Sequence, residues 1–156
     1  MNIYSLLDDS TISSDLHAND KEELIHKLVD LLSHKIADHQ IEGVREAVFK
    51  REEIMSTGVG KSLAIPHGKC ASLDDNYACF ARLSEPVEFN SIDNEPVKLA
   101  FLLVGPDSKN SAHIKLLSRI SRIMNSATFR ERLDACSNEQ ELYNAFKEEE
   151  TTYFGS

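Results

Sequence analysis

One continuous apolar run, VKLAFLLV at residues 97–104, restricts the possible folds of this chain more than any other segment. Only Lys98 interrupts it, and a short run of this kind is typical of a strand buried on both faces of a sheet. Residues 77–83 alternate in polarity and predict a second strand. Shorter extended segments are expected at residues 11–17 and 62–66, so the sequence predicts a mixed sheet.

Helical patterns precede and follow this central region. Before it, a helix capped by Asn19 or Asp20 is expected to end near Ile36, and a second helix is expected at residues 42–53. After it, three more helices are expected, at residues 113–124, at residues 128–133 and from Ser137, where S-x-x-Q predicts a capping box. This order predicts an α/β fold in which a mixed β-sheet is sandwiched by α-helices.

Composition limits both the architecture and the partners. The 156 residues contain no internal repeat or linker-like tract, which is typical of a single domain over residues 1–156. The net charge of -9 disfavours nucleic acid as a partner and suits a basic protein better. There is no apolar run of the ~20 residues that span a membrane and no secretory signal pattern, so we expect a cytoplasmic protein without membrane insertion.

Cysteines and most histidines give no sign of a metal or disulfide framework. Cys70, Cys79 and Cys136 are odd in number and form no C-x-x-C pair, which argues against structural disulfides and a zinc site. Four further histidines lack metal-ligand spacing with cysteines or carboxylates, namely His17, His26, His34 and His39. We therefore predict no metal and no bound cofactor.

Residues 51–68, REEIMSTGVGKSLAIPHG, are the segment whose composition structural needs explain least. GVGKS resembles the end of a P-loop, but that motif requires a glycine where Met55 stands and a helix after the lysine. A dinucleotide fingerprint requires a third glycine where Leu63 stands. Both nucleotide-binding interpretations are therefore rejected.

The remaining feature is an apolar strand that leads into a Pro-His-Gly turn. Pro66 fixes the backbone before His67, and Gly68 removes side-chain bulk after it, so we expect the imidazole at a strand end with room for a ligand. Histidine is partly neutral at pH 7, and its unprotonated ring nitrogen is a nucleophile that can attack phosphorus. Taken alone, however, a histidine in a turn is more often a surface or capping residue.

Phosphoryl transfer requires donors for the phosphoryl oxygens more than it requires further covalent machinery. Arg51 offers a charged, planar set of donors, although an arginine without context is more often part of a surface ion pair. His113, at the start of a predicted helix, is a second hydrogen-bonding candidate or simply a polar residue at a helix start. A candidate anion-binding nest comprises Ser56, Thr57, Gly58 and Gly60.

Together these residues resemble a known signature. Arg51, S-T-G-V-G at 56–60 and L-A-I-P-H-G at 63–68 are similar to the active-site signature of fructose/mannitol-type (type 2) enzyme IIA domains of the bacterial phosphoenolpyruvate:sugar phosphotransferase system, PTS. F-N-S-I-D-N-E-P-V-K-L at 89–99 resembles the strand connection of that family. H-I-K-L-L-S-R-I at 113–120 resembles its second histidine helix, so the resemblance covers nearly the whole chain.

The resemblance implies an α/β sandwich of the phosphotransferase/anion-transport-protein type and a phosphotransferase function. It implies that His67 is phosphorylated by an HPr-like phosphocarrier protein, with Arg51 and His113 in support and without a metal or cofactor. D-A-C-S-N-E-Q-E-L-Y at 134–143 resembles the nitrogen-regulatory IIA branch. Two alternatives stay open: a sugar-specific IIA that passes phosphate to a IIB domain, and a phosphorylation-switched module that binds a kinase or transporter.

Overall fold

The computed structural model describes residues 2–155, whose helices lie on both faces of one six-stranded sheet. The strands are β1 (Ile12–Leu16), β2 (Gly58–Gly60), β3 (Leu63–Ala64), β4 (His67–Lys69), β5 (Tyr77–Val87) and β6 (Val97–Gly105). The helices are α1 (Lys21–Asp30), α2 (Asp38–Ile54), α3 (Asn110–Met124), α4 (Ala127–Ala135) and α5 (Glu139–Phe154), with 3-10 turns at Tyr4–Leu6 and Asp107–Lys109.

The sheet is mixed, as the sequence predicts. Its strand order is β1-β5-β6-β3-β2, and β4 also pairs with β6. β5 runs antiparallel to β6, whereas β3 and β4 both run parallel to it. β3 and β4 therefore follow one another along the same edge of β6, and the chain between them carries Ile65 and Pro66.

Two apolar cores share the central strand β6. Every residue of β6 except Lys98 is buried, which confirms the prediction of a strand covered on both faces. Ala100 and Leu102 pack into the core beneath α1 and α2. Leu99 and Phe101 pack into the opposite core beneath α3, α4 and α5. The alternation follows from the two-residue period of a strand, which sends neighbouring side chains to opposite faces.

The predicted helices are present, but several bounds differ. Asp20 caps α1 by accepting a hydrogen bond from the amide of Glu23 at 2.8 Å. α1 ends at Asp30 and not near Ile36, because the following amides turn back to carbonyls three residues earlier, such as Leu32 to Val29. α2 begins at Asp38, four residues before the predicted start.

The capping box predicted at Ser137 and Gln140 lies one residue further along the chain. The side chain of Asn138 caps α5 by accepting a hydrogen bond from the amide of Glu141 at 2.9 Å. The Glu141 carboxylate in turn accepts from the amide of Ser137 at 3.0 Å. Asparagine and serine are both good capping residues, so the pattern alone did not identify the correct one. Leu142 and Phe146 share the buried face of α5, as predicted.

The expected strand at 62–66 is shorter than predicted. Only Leu63 and Ala64 form β3, and proline at position 66 has no amide hydrogen for the ladder. The carbonyl of Pro66 instead accepts from the amide of Leu103 at 3.1 Å, and β4 starts at the next residue. His67 therefore begins a short strand and does not follow the end of one.

Within residues 2–155, no helix combines the length and apolar character that crossing a membrane requires.

We expect Phe146→Ala to destabilise the fold strongly. Its buried ring lies 4.9 Å, 5.6 Å and 5.3 Å, centroid to centroid, from the rings of Phe80, Phe101 and Phe129, which join α5 to the sheet and to α4. Loss of a buried phenylalanine typically lowers the free energy of unfolding by about 3–5 kcal/mol. Urea unfolding measures the change, with the half-exposed Tyr153→Ala on the same helix as control. A loss below about 1 kcal/mol for Phe146→Ala would contradict this account.

Candidate functional site

His67 is held at the start of β4, in register with Leu103 of the buried strand β6. Its ring is half-buried, and its Nδ1 lies 2.9 Å from the carbonyl oxygen of Ile65. Since a carbonyl only accepts hydrogen bonds, Nδ1 carries the proton of the neutral ring. The lone pair of that ring is therefore on Nε2.

The surroundings of His67 keep it neutral at pH 7. Burial lowers the pKa of His67 below its usual 6.5, and the positive charges of Arg51 and Lys69 lower it further. The hydrogen bond to Ile65 and the negative charge of Glu52 act in the opposite direction on that pKa, but the net change is downward. A neutral imidazole with a free nitrogen lone pair is the form that acts as a nucleophile.

Gly68 does not provide the ligand space predicted for it. A Cβ at this position would lie 3.0 Å from the amide nitrogen of Val48 and 3.1 Å from the carbonyl carbon of Ala47. These are backbone atoms of α2, so the glycine lets this helix approach β4 closely. Its contribution to the site is indirect, because the same helix carries Arg51 in its last turn.

His113 is buried on α3 beside His67, with the two ring centroids 6.3 Å apart. Its Nδ1 lies 3.1 Å from Oδ1 of Asn76. Burial, together with the charges of His67 and Lys69, lowers the pKa of His113 to about 4. The structure thus brings together two neutral imidazoles that the sequence separates by 46 positions.

Arg51 lies at the C-terminal end of α2, where a cation also interacts favourably with the helix dipole. Its Nη1 donates to the carbonyl of Met55 at 2.9 Å, which is its one hydrogen bond among residues 2–155. The charge of Arg51 reaches the ring of His67, since it lowers the pKa of that histidine. Most of its guanidinium donors remain available to an anion.

Thr57, predicted to help form the anion-binding nest, is bonded to Glu52 instead. Its amide donates to the buried Glu52 carboxylate at 2.8 Å, and its hydroxyl donates to the other carboxylate oxygen. The ammonium of Lys21 balances this charge at 2.9 Å. Both Thr57 donors are therefore occupied within the protein.

Ser56 and Gly58 have similar internal roles. The Ser56 hydroxyl donates to the carbonyl of Phe89 at 2.8 Å and accepts from the amide of Gly58 at 3.1 Å. A Cβ on Gly58 would lie 2.2 Å from the hydroxyl oxygen of Ser91, so only glycine permits this close approach. The chain here is held against residues 89–91 and presents no open cradle.

Gly60 belongs to the tight turn that connects β2 to β3. It has a φ of 95°, and the next two residues, Lys61 and Ser62, also have positive φ values of 58° and 62°. Two-residue hairpin turns of type I′ require positive φ at both central positions. The amide of Lys61 is further fixed by the Asp93 carboxylate at 2.9 Å. Gly60 thus shapes a hairpin turn.

The sequence interpretation did not assign roles to Lys69 and Asn76. Lys69 lies two residues after His67 in β4, so both side chains share one face of the strand, and its ammonium donates to Asn110 at the start of α3. The two-residue spacing could have indicated from the sequence that Lys69 lies near His67. No sequence pattern could have indicated a role for Asn76, which precedes β5, since its contact with His113 joins distant segments.

Comparison with known proteins identifies the family. A family model described as "Phosphoenolpyruvate-dependent sugar phosphotransferase system, EIIA 2" matches residues 5–149. The chain belongs to this family. This match confirms the family predicted from the signature around residues 51–68. EIIA proteins of the PTS are phosphotransfer proteins.

Relatives of this EIIA protein include regulatory and sugar-specific members. A nitrogen regulatory protein of Bradyrhizobium diazoefficiens is 33% identical over 144 residues, which are 92% of this chain and 94% of that protein. A PTS fructose-specific EIIABC component of Bacillus subtilis is 32% identical over 91% of this chain, but the match spans only 22% of that longer protein. The crystal structure of nitrogen regulatory protein IIA-Ntr from Neisseria meningitidis gives a TM-score of 0.84 at 30% identity, covering 92% of this chain and 98% of that one. The predicted fold is thereby confirmed.

Acid titration should reveal the buried, neutral His113 of this EIIA protein. Its pKa of about 4 lies below the 6.5 of an unfolded chain, so the unfolded state binds more protons between these values. The corresponding stability is complete above pH 6.5 and is lost as the pH falls to 4. We expect wild type to lose about 3 kcal/mol more of its unfolding free energy than His113→Gln over this range. Urea unfolding at several pH values measures this, and parallel curves would contradict it.

Proposed function

We propose that this EIIA protein accepts a phosphoryl group on Nε2 of His67 from an HPr-like phosphocarrier protein. The observation that carries the proposal is the 2.9 Å contact between Nδ1 of His67 and the carbonyl of Ile65. It fixes the proton on one ring nitrogen and leaves the lone pair on the other. Phosphoryl transfer needs little more than such a nucleophile in line with the donor and charge around the moving group.

The transfer step requires no proton exchange between the two proteins. The lone pair of Nε2 forms a bond to phosphorus while the bond from phosphorus to the nitrogen of the donor histidine breaks. The electron pair of that bond stays with the donor ring. Nδ1 of His67 keeps its proton, and the Ile65 carbonyl stabilises the positive charge that develops on the ring as Nε2 gives up its lone pair. Neither a metal nor a cofactor takes part in this step.

Arg51 and Lys69 stabilise the transferred group in this proposal. Both cations already act on the ring, because each lowers the pKa of His67. The phosphoryl group carries its charge on three oxygens, which the planar guanidinium of Arg51 can bind with two parallel hydrogen bonds. The amides of Thr57 and Gly58 are engaged elsewhere, so we assign oxygen binding to side-chain charges and not to a backbone nest.

The surface around His67 is suited to a protein donor. Ile54 and Met55 lie three and four residues after Arg51, and their exposed fractions are 78% and 66%. Ile114, next to His113, is 56% exposed. Exposed large apolar side chains beside a reactive group are typical of a protein contact surface. The partner we propose is accordingly an HPr-like carrier and not a small phosphate donor.

Phosphorylation of wild type and variants tests the proposal. With phosphoenolpyruvate, enzyme I and an HPr-type carrier, we expect intact mass to show one acid-labile phosphoryl group on wild type and none on His67→Ala. The matched control is His39→Ala, since His39 is exposed at the start of α2 and should remain competent. Phosphorylation of His67→Ala at the wild-type rate would refute the assignment.

We further propose that the phosphorylated protein acts in nitrogen regulation and does not supply a sugar transporter. The similarity to nitrogen regulatory proteins over nearly their whole length supports this role. In it, phosphorylation is a signal that changes binding to a regulated kinase or transporter. The similarity to a fructose-specific component supports the alternative of transfer to a IIB domain.

Mixing the phosphorylated protein with a fructose-type IIB domain distinguishes these roles. We expect intact mass to show that the phosphoryl group stays on this protein, whereas unphosphorylated HPr-like carrier removes it. The control is a fructose-specific IIA protein, which must transfer to the same IIB domain under the same conditions. Comparable transfer from both proteins would establish the sugar-specific role instead.

A further inference from the structure

Asn76 forms a buried pair with His113 that the proposed transfer step does not yet use. Its Oδ1 lies 3.1 Å from Nδ1 of His113, and both side chains are at most 2% exposed. A Cβ on Gly105 would lie only 1.9 Å from the same Asn76 oxygen. The end of the buried strand β6 is therefore a glycine that leaves the space in which this amide reaches the ring.

The outer ends of this pair have no partner. Within residues 2–155, the buried atoms Nδ2 of Asn76 and Nε2 of His113 make no hydrogen bond. Buried polar atoms are normally satisfied, so each exception requires an explanation. The ring centroid of His113 is 6.3 Å from that of His67, so the ring that carries this unpartnered nitrogen lies beside the proposed phosphoryl acceptor.

We propose that Asn76 is a positioning residue, which holds the proton of the resting His113 ring on Nδ1 and leaves Nε2 bare until His67 is phosphorylated. This inference rests on the proposed function of His67. When the phosphoryl group arrives, Nε2 of His113 takes one proton from solvent. The imidazolium that results donates through Nδ1 to Asn76 and through Nε2 to a phosphoryl oxygen.

The charges that face His113 favour this change. Burial and the positive charge of Lys69 on β4 keep the ring neutral in the resting protein, and a proton on His67 would lower the pKa of His113 further. The neighbouring carboxylate of Asp75 is paired with Lys109 at 3.5 Å and adds little net charge. The phosphoryl oxygens carry about two negative charges, against one positive charge on the phosphorylated His67 ring, so the site gains net negative charge, which raises the pKa of an adjacent histidine.

Phosphorylation and proton uptake are therefore linked. The phosphorylated state binds one more proton than the resting state over the pH range between the two pKa values of His113. Its formation is consequently most favoured below the lower pKa, weakens as the pH rises through that range, and changes no further with this group above the higher pKa.

Two substitutions at position 76 separate the effect of the acceptor from that of packing. Asn76→Asp keeps an oxygen acceptor for Nδ1 and adds a negative charge, so the pKa of His113 should rise and the Nδ1 proton should stay. Asn76→Leu is similar in size but removes the acceptor, so the proton should no longer be held on Nδ1. If the Nδ1 proton of His113 is kept in Asn76→Asp and lost in Asn76→Leu, a purely structural role for Asn76 would not explain the difference.

Nitrogen-15 NMR of the histidine rings, on the full chain before and after phosphorylation, is the experiment. In wild type we expect the resting His113 to carry its proton on Nδ1 and the phosphorylated protein to show both nitrogens protonated at neutral pH. Asn76→Leu should populate both neutral tautomers and accept phosphate about tenfold more slowly, the effect of one hydrogen bond. Asn76→Asp should keep the wild-type tautomer.

Two results would overturn the inference: a resting wild-type ring with its proton on Nε2, or a neutral His113 in the phosphorylated protein. An unchanged tautomer in Asn76→Leu would also overturn it. The tautomer is measured without any phosphate, so it does not depend on the acceptor assignment. If His67 accepts no phosphate while the Nδ1 tautomer is present, the proposed function fails and proton uptake fails with it, but the positioning by Asn76 stands.

Discussion

The doubly buried strand β6 is the constraint on which the rest of the structure depends. Its alternate side chains enter two separate cores, so neither helical layer can shift without disturbing the other through this strand. The site depends on the same strand, since Leu103 pairs with His67 and Gly105 leaves space for Asn76. The least exposed segment of the chain thus positions the groups that we propose to react. Close packing on both faces makes this placement rigid.

The segment between α2 and β2 supports the site because internal hydrogen bonds fix its conformation. Glu52 binds both donors of Thr57, and Ser56 binds the carbonyl of Phe89, so the residues between α2 and β2 are fixed from two directions. A loop whose backbone donors are satisfied internally cannot offer them to a phosphoryl group. Its position instead keeps Arg51, at the end of α2, close to the reactive ring. In the proposed transfer, flexible charged side chains bind the phosphoryl group and can follow it as it moves between two proteins.

Sequence patterns were sufficient where the structure is local. The apolar run of β6 and the cap of α1 depend on neighbouring residues. The run was located correctly, and the cap was limited to Asn19 or Asp20, of which Asp20 is the one observed. The signature around His67 identified the family, but it did not show why the signature contains glycine at particular positions. Gly68 is a glycine because α2 passes close to it, a contact between segments some twenty residues apart. Asn76 carried no local pattern at all, since its meaning depends on a ring 37 positions away.

Two neutral histidines side by side suit a site in which these rings become charged only when a phosphoryl group is bound. Two imidazolium rings at this distance would repel each other, and burial would add a desolvation cost to each of them. The neutral pair avoids both costs while the site is empty. In the proposed phosphorylated state, the phosphoryl group supplies negative charge that a protonated His113 can balance. The stabilising interaction therefore forms only when the phosphoryl group is present. In the proposed cycle, the site can also pass its phosphoryl group to the next acceptor without leaving an unpaired buried cation on His113, because the proton on that ring can return to solvent.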